Sequence, residues 1–252
     1  MEKSEELLQK RLLDLANHAE QRNIAVFSDF LNLGELNILH NMSQEFSGIR
    51  RKTFGGYELA ERQIAAFIPD ALYYEWDYPI SCLKIQPLNA KFTRPLTHRD
   101  YLGAILNLGI NRGKTGDILI DQETAYLFCV NTMSDFICQE LNRIHHVSVF
   151  CEEMEKGLEL NIPLKTITVK GSVASVRLDS VLSLACNESR NSLVNLIEGG
   201  KVSVNGKLVV SNGYHLREGD LISIKGVGRF RYLHVLSRTK KGRSFIELLK
   251  YI

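Results

Sequence analysis

Between Arg177 and Asp220 five short elements follow one another in a fixed order: Arg177-Leu178-Asp179, Ser189-Arg190, Leu196-Ile197 ahead of Gly199-Gly200, Val202-Ser203-Val204-Asn205-Gly206, and Glu218-Gly219-Asp220. Each is a start or a stop signal, so together they leave the chain little choice. Leu178, Val181, Leu182 and Ala185 form the apolar stripe of one short helix, which Asn187-Glu188 interrupts. Leu193, Leu196 and Ile197 form the stripe of a second, ended by the glycine pair. Val202 to Val204 then runs into Asn-Gly, a strong hairpin signal, and the turn at Glu218-Gly219 feeds a further strand, Leu221 to Ile224.

Charge marks the same region. The chain of 252 residues carries 31 Lys+Arg and 29 Asp+Glu, a formal +2, but the sum hides a split. From Lys165 to Ile252 there are 15 basic and 6 acidic side chains, a net +9; the other 164 residues hold 16 and 23, a net −7. An anion-binding module joined to a more acidic scaffold has this footprint, and nucleic acid is the commonest anionic partner. The 44% hydrophobic content excludes a disordered or collagen-like chain. No stretch reaches the roughly 18–20 apolar residues of a membrane helix. The first residues, Met1-Glu2-Lys3-Ser4-Glu5-Glu6, lack the basic start of a signal peptide, so the cytoplasm is the expected compartment. Cys82, Cys129, Cys138, Cys151 and Cys186 form no Cys-x-x-Cys pair and are expected to be reduced and apolar in role.

The spacing predicts an α+β chain in three parts. Residues 1–79 read as a helical domain with 8 basic and 13 acidic residues, suited to meeting a protein: a first helix carrying Leu7, Leu8, Leu12, Leu15 and Ala19, a helix start at Phe27–Leu31, and a helical run Glu58–Phe67 ended by Pro69. Residues 80–154 alternate as strand (Ile80–Leu88), helix (Thr97–Leu108), two strands (Asp117–Asp121, Thr124–Val130), helix (Met133–Ile144) and strand (Val147–Glu152). This β-α-β-β-α-β order is the ferredoxin-like arrangement, with one sheet face open, on which Tyr126 and Phe128 share a side suited to stacking or to core packing. The sign of the charge changes across a boundary between 154 and 165, and the basic module fills 165–252.

Several apparent motifs are decoys. Gly113-Lys114-Thr115 invites a phosphate-binding loop, but the glycine four residues earlier in that signature would have to be residue 108, which is Leu108, and the segment leads from a helix into a strand, the reverse of the required context. What remains, Gly109 to Asp117, is a glycine-rich loop whose Arg112 and Lys114 suit a phosphate backbone or plain solvent. His145-His146 point to opposite faces at a strand start and the other histidines are far apart, so no metal is expected. Nucleophile-elbow, zinc-protease and dinucleotide-binding signatures are absent, and no cofactor is implied.

The five elements, by their order and spacing, resemble the S4-type RNA-binding domain. That resemblance implies two helices on a small sheet, with structured RNA meeting Arg177, Ser189, Arg190, Asn191, Lys201, Asn205 and Lys207. Independently, Ser189 can cap a helix whose amide-rich start attracts phosphate, and Arg190 adds a fork suited to phosphate oxygens. A similar Arg-Leu-Asp carries the catalytic aspartate of pseudouridine synthases; here it begins the helices of the module, which makes Asp179 a helix-start residue.

With Gly55-Gly56-Tyr57-Glu58 and Ala60-Glu61-Arg62 in the first part and Gly109-Ile110-x-Arg112-x-Lys114-x-Gly116-Asp117-Ile118 in the second, nearly the whole chain resembles the YlmH family of bacterial S4-domain proteins. Its members are associated with cell-division genes and with rescue of stalled large ribosomal subunits, and a cyanobacterial relative is linked to photosystem II. The resemblance implies a second RNA-binding unit in the middle, with Arg112 and Lys114 in contact with RNA. Beyond Gly226, alternation sets Arg229 and Arg231 on one strand face and Phe230 and Tyr232 on the other, and Arg238, Lys240, Lys241 and Arg243 form a basic turn. The expectation is a non-catalytic protein that occupies structured ribosomal RNA and tRNA on the large subunit; an RNA-modifying enzyme and a cell-division adaptor are the alternatives.

Overall fold

The computed structural model describes residues 2–89, 95–155, 166–240 and 242–251, with every side chain among them except those of Glu2, Lys3, Ser43 and Arg190. The chain divides into two units, Met1–Ile162 and Pro163–Ile252. The linker expected between 154 and 165 lies, from 156 on, outside the described residues.

The first unit begins with α1 (Glu2–Arg22), β1 (Val26–Leu31), α2 (Leu33–Asn41), β2 (Ile49–Phe54) and β3 (Gln63–Pro69). Its three strands form an antiparallel sheet in the order β1-β3-β2. Leu12, Ala16 and Ala19 of α1 and Leu36 and Leu39 of α2 bury against Ala65 and Phe67 on one face, whereas Leu7 is 70% exposed. A capping box starts α2: Asn32 Oδ1 accepts from the Glu35 amide at 3.1 Å while Glu35 Oε2 accepts from the Asn32 amide at 2.7 Å. The helical segments expected at Phe27–Leu31 and Glu58–Phe67 are therefore wrong: β1 occupies the first, and the second is turn and loop up to Arg62 and then β3. Every residue of β3 from Ile64 to Pro69 is buried, because helices cover one face of the sheet and a second sheet covers the other. A strand buried on both faces reads as an apolar run and loses the alternation that would identify it.

The second half of the unit runs β4 (Ile80–Pro87), α3 (His98–Asn107), β5 (Thr115–Asp121), β6 (Thr124–Val130), α4 (Ser134–Glu140), β7 (Arg143–Ile144) and β8 (Val147–Glu153). The strands are all antiparallel in the order β5-β6-β4-β8-β7. Helices α3 and α4 close one face over Leu83, Ile85, Leu127 and Val149. The helix expected over Met133–Ile144 stops early, and Arg143–Ile144 pairs back onto β8 through a turn at His145-His146, with His145 at φ +52°.

The second unit comprises β9 (Thr166–Val173), α5 (Leu178–Cys186), α6 (Arg190–Glu198), β10 (Val202–Val204), β11 (Lys207–Leu208), β12 (Leu221–Ile224), β13 (Gly228–Arg238) and β14 (Ser244–Tyr251). One antiparallel sheet of order β11-β10-β12-β13-β14-β9 brings the first strand of the unit onto its last, over eight paired positions. Both helices pack on one face, where Leu178, Val181, Leu182, Leu193 and Ile197 meet Phe230, Tyr232, Ile246 and Leu248. That burial of aromatic and aliphatic side chains is the main source of the unit's stability.

Candidate nucleic-acid interface

The motif residues of the second unit divide into those that hold it together and those that face water. Arg177 places its guanidinium on Asp179, Nε to Oδ1 at 3.1 Å and Nη2 to Oδ2 at 3.0 Å, and the Asp179 side chain is only 8% exposed. Such a two-point fork fixes the start of α5. Asn205 lies at φ +49° and Gly206 at +76°, the left-handed pair that a tight hairpin turn demands. The Asn205 Nδ2 donates to Asp220 Oδ1 at 2.8 Å and its Oδ1 accepts from the Leu221 amide at 2.9 Å, while Asp220 Oδ2 accepts from the Arg217 amide at 2.8 Å. The Val-Asn-Gly and Glu-Gly-Asp elements are thus two sides of one latch. Ser189 caps α6 by accepting from the Ser192 amide at 3.3 Å.

The exposed motif groups are mostly cationic or amide, with Glu218 an exposed carboxylate. Asn191, Lys201 and Lys207 stand in water, as do Arg238 and Lys240 at the β13–β14 turn. Arg229 and Arg231 are half-buried on the sheet face opposite the helices, their neighbours Phe230 and Tyr232 being sealed in the core. The backbone of Arg190 opens α6, but its side chain lies outside the described residues, as does Lys241 altogether. Exposed cations that escaped the motif pattern include Lys225, whose amide donates to the Lys201 carbonyl at 2.9 Å, and Lys170 on β9. Alternation along β9 could have found the second; the first required the strand pairing.

In the first unit Arg112 and Lys114 sit in a short turn after Asn111 and make contacts within the protein. Lys114 Nζ bonds Asp29 Oδ1 on β1 at 2.6 Å, and Arg112 Nη1 donates to the carbonyls of Thr115 and Gly116 at 2.8 and 2.9 Å. Arg62 reaches the carbonyls of Phe30, Arg112 and Thr115 at 2.9, 3.1 and 3.0 Å. Asp117 accepts from Tyr57 Oη and from the amides of Glu61 and Arg62 at 2.8, 2.6 and 3.2 Å. The two motif segments, 55–62 and 109–118, are therefore the halves of one joint.

Its packing is close. A Cβ on Gly56, which sits at φ +99°, would lie 2.2 Å from the Phe128 ring, and one on Gly116 would lie 2.7 Å from Phe30. Burial opposes ionisation of Asp29, but hydrogen bonds from Lys114 and Arg11 outweigh it and hold this carboxyl below the usual carboxylate range. Burial and the neighbouring Arg62 charge push Arg112 down to about 10, still protonated at neutral pH. Phe128 is 1% exposed and stacks on Tyr57 at 5.1 Å, so of the two candidate stacking aromatics it belongs to the joint, whereas Tyr126 stays half-buried on the open part of the sheet.

Among the described residues no group of three or more His, Cys, Asp or Glu side chains could hold a metal ion, and no helix is long and apolar enough to cross a membrane.

A two-helix cap on a small sheet, a latched Asn-Gly hairpin and a set of exposed cations define an S4-domain protein, and the S4 domain family matches residues 176–222. The family described as "Putative RNA-binding domain in YlmH" matches residues 74–157. The chain is 30% identical over 220 residues to the Bacillus subtilis "Ribosome-associated protein quality control protein P2", covering 86% of this chain and 83% of that one. It is similar in structure to the "Cell division protein ylmH from Streptococcus pneumoniae", with a TM-score of 0.50 and 25% identity over 60% of this chain and 92% of the other. The chain belongs to the YlmH family of S4-domain proteins.

Proposed function

We propose that this chain is a non-catalytic RNA-binding protein that occupies structured ribosomal RNA and tRNA on the large ribosomal subunit, in the rescue of stalled translation. The observation that carries the reading is the division of labour in the second unit. Arg177, Asp179, Asn205 and Asp220 satisfy one another, while Lys201, Lys207, Lys225, Arg238 and Lys240 point cations at solvent. Cations without a shaped pocket act by neutralising phosphates, so mechanism is occupancy, set by charge and shape. The name of the Bacillus relative supports the ribosomal setting.

The strand order of the middle sheet supports a ferredoxin-like arrangement, whose remaining open face around Tyr126 is suited to a second RNA contact. In this reading Arg112 and Lys114 serve the joint that carries that sheet. Against a modifying enzyme of pseudouridine-synthase type stands the placement of Asp179, whose side chain is only 8% exposed at the start of α5 with its carboxylate held by Arg177. Incubating the purified protein with ribosomal RNA should yield no new modified nucleotide; one that depends on Asp179 would overturn the non-catalytic reading. The name of the Streptococcus relative favours a role in division as the second reading, and loss of division phenotype without loss of ribosome binding in one variant would select it.

A further inference from the structure

The middle sheet of the first unit carries a pair of thiols that RNA binding leaves unused. Strand β8 alternates, so that Val147, Val149 and Cys151 lie in the core under the helices while Ser148, Phe150 and Glu152 are exposed. Helix α4 lays Ile137 into the same core and packs Cys138 against it. The two cysteines meet there, Sγ to Sγ at 3.3 Å, and both are free thiols. A disulfide holds its sulfurs about 2.05 Å apart, so closure asks for a movement of about 1 Å shared between two side chains.

The two sulfurs are not equivalent. Cys138 is half-buried and within reach of solvent, whereas Cys151 is 7% exposed. Burial pushes both thiols up, but the hydrogen bond between them acts to lower Cys138 and to raise Cys151. The accessible sulfur is therefore the one that ionises first, with a sealed thiol beside it. Its oxidation is slow, because a raised thiol keeps the reactive thiolate scarce at neutral pH. Cys129, fully buried in the same core, is the competing partner.

We propose that Cys138 and Cys151 form an oxidisable dithiol, converted to an intramolecular disulfide by a peroxide. The Cys138 thiolate attacks one peroxide oxygen, the O–O bond breaks, and Cys138 becomes a sulfenic acid as hydroxide leaves. The Cys151 sulfur then attacks the sulfenic sulfur; the S–S bond forms, the S–O bond breaks, and the hydroxyl departs with the Cys151 proton as water. The first hydroxide takes up the proton released by Cys138, so the two thiols lose two electrons and hydrogen peroxide becomes two waters. The product ties α4 to β8 and encloses β7 and the His145 turn. A helix of seven residues depends on packing to hold its shape, so the tie decides how readily α4 lifts from the sheet.

The test treats the full reduced chain with hydrogen peroxide under native conditions. Free thiols counted after unfolding should fall from five to three, two having joined in one disulfide, and dithiothreitol should restore all five. Proteolytic mapping without reductant should find Cys138 linked to Cys151, and the amides of α4 should exchange with deuterium about tenfold more slowly in the oxidised chain. Cys138→Ala should keep all its remaining thiols, Cys151→Ala should stop at a Cys138 sulfenic acid captured by dimedone, and Cys129→Ala should form the bond as the wild type does. Circular dichroism verifies the fold of each variant, and the wild-type map needs no variant, so it stays decisive if truncation loosens the core. Retention of five thiols, a bond to Cys129 or between two chains, sulfinic acid on Cys138 without a disulfide, or α4 exchange unchanged by oxidation overturns the proposal; none of these outcomes touches the RNA-binding reading.

Discussion

Asp117 shows how much of this molecule is decided by single side chains. One carboxylate accepts hydrogen bonds from Tyr57 and from two successive amides on a segment 55 and 56 residues away. Replacing it with alanine strands these donors inside the joint, and each buried donor left without a partner costs about 1–3 kcal/mol. Asp117→Ala should therefore lower the urea midpoint of the first unit by an amount equivalent to about 2–3 kcal/mol, without changing the affinity of the second unit for RNA. Asp29 gives a pH-dependent counterpart. Its pKa in the folded chain is depressed, so its stabilising contribution is complete above the unfolded value of 3.8 and disappears as pH falls through the lower folded value. Thermal melts at pH 5 and pH 3 should show a smaller loss in Asp29→Asn than in the wild type. The glycine-rich loop was legible as a loop of special residues, because Gly113 and Gly116 cannot hide. Its purpose was not, because a hydrogen bond between residues 62 and 117 leaves no local trace in either segment.

Among the elements, those that expose one face could be read and those that hide both could not. The helices α5 and α6 carry clear stripes, their stops are Asn187 and Gly199, and the Asn205-Gly206 turn has the residues its dihedral angles require. By contrast β3 lies between helices and a second sheet, and Ile64-Ala65-Ala66-Phe67-Ile68 has no polar phase to reveal a period of two. Phe128 shows the same limit: alternation put it on one face with Tyr126 and left stacking and core packing open, because the cover supplied by Phe30, Ile64 and Tyr57 comes from the other half of the unit. Core and interface predict opposite results for the pair. Phe128→Ala should destabilise the first unit by about 3–5 kcal/mol in chemical denaturation, as expected for truncating a sealed aromatic ring. Tyr126→Ala should cost much less stability, and any weakening of RNA binding should appear in that variant.

For the whole molecule the informative quantity is charge by region. A formal +2 describes neither part of a chain in which −7 up to residue 164 offsets +9 from residue 165 onward. The positive share lies on an S4 fold whose motif polar groups hold one another, leaving lysines and arginines for a polyanion. If phosphate neutralisation dominates, each lost contact reduces the slope of log affinity against log salt by about 0.9. The most direct measurement is co-sedimentation of the full chain with purified large ribosomal subunits across a salt series, for the wild type and for Lys201→Ala with Lys207→Ala. The account predicts wild-type pelleting that falls steeply with salt, and a double variant that folds normally, binds more weakly at every salt concentration and has a slope lower by nearly two units. Pelleting that is insensitive to salt, or unchanged in the double variant, would contradict it.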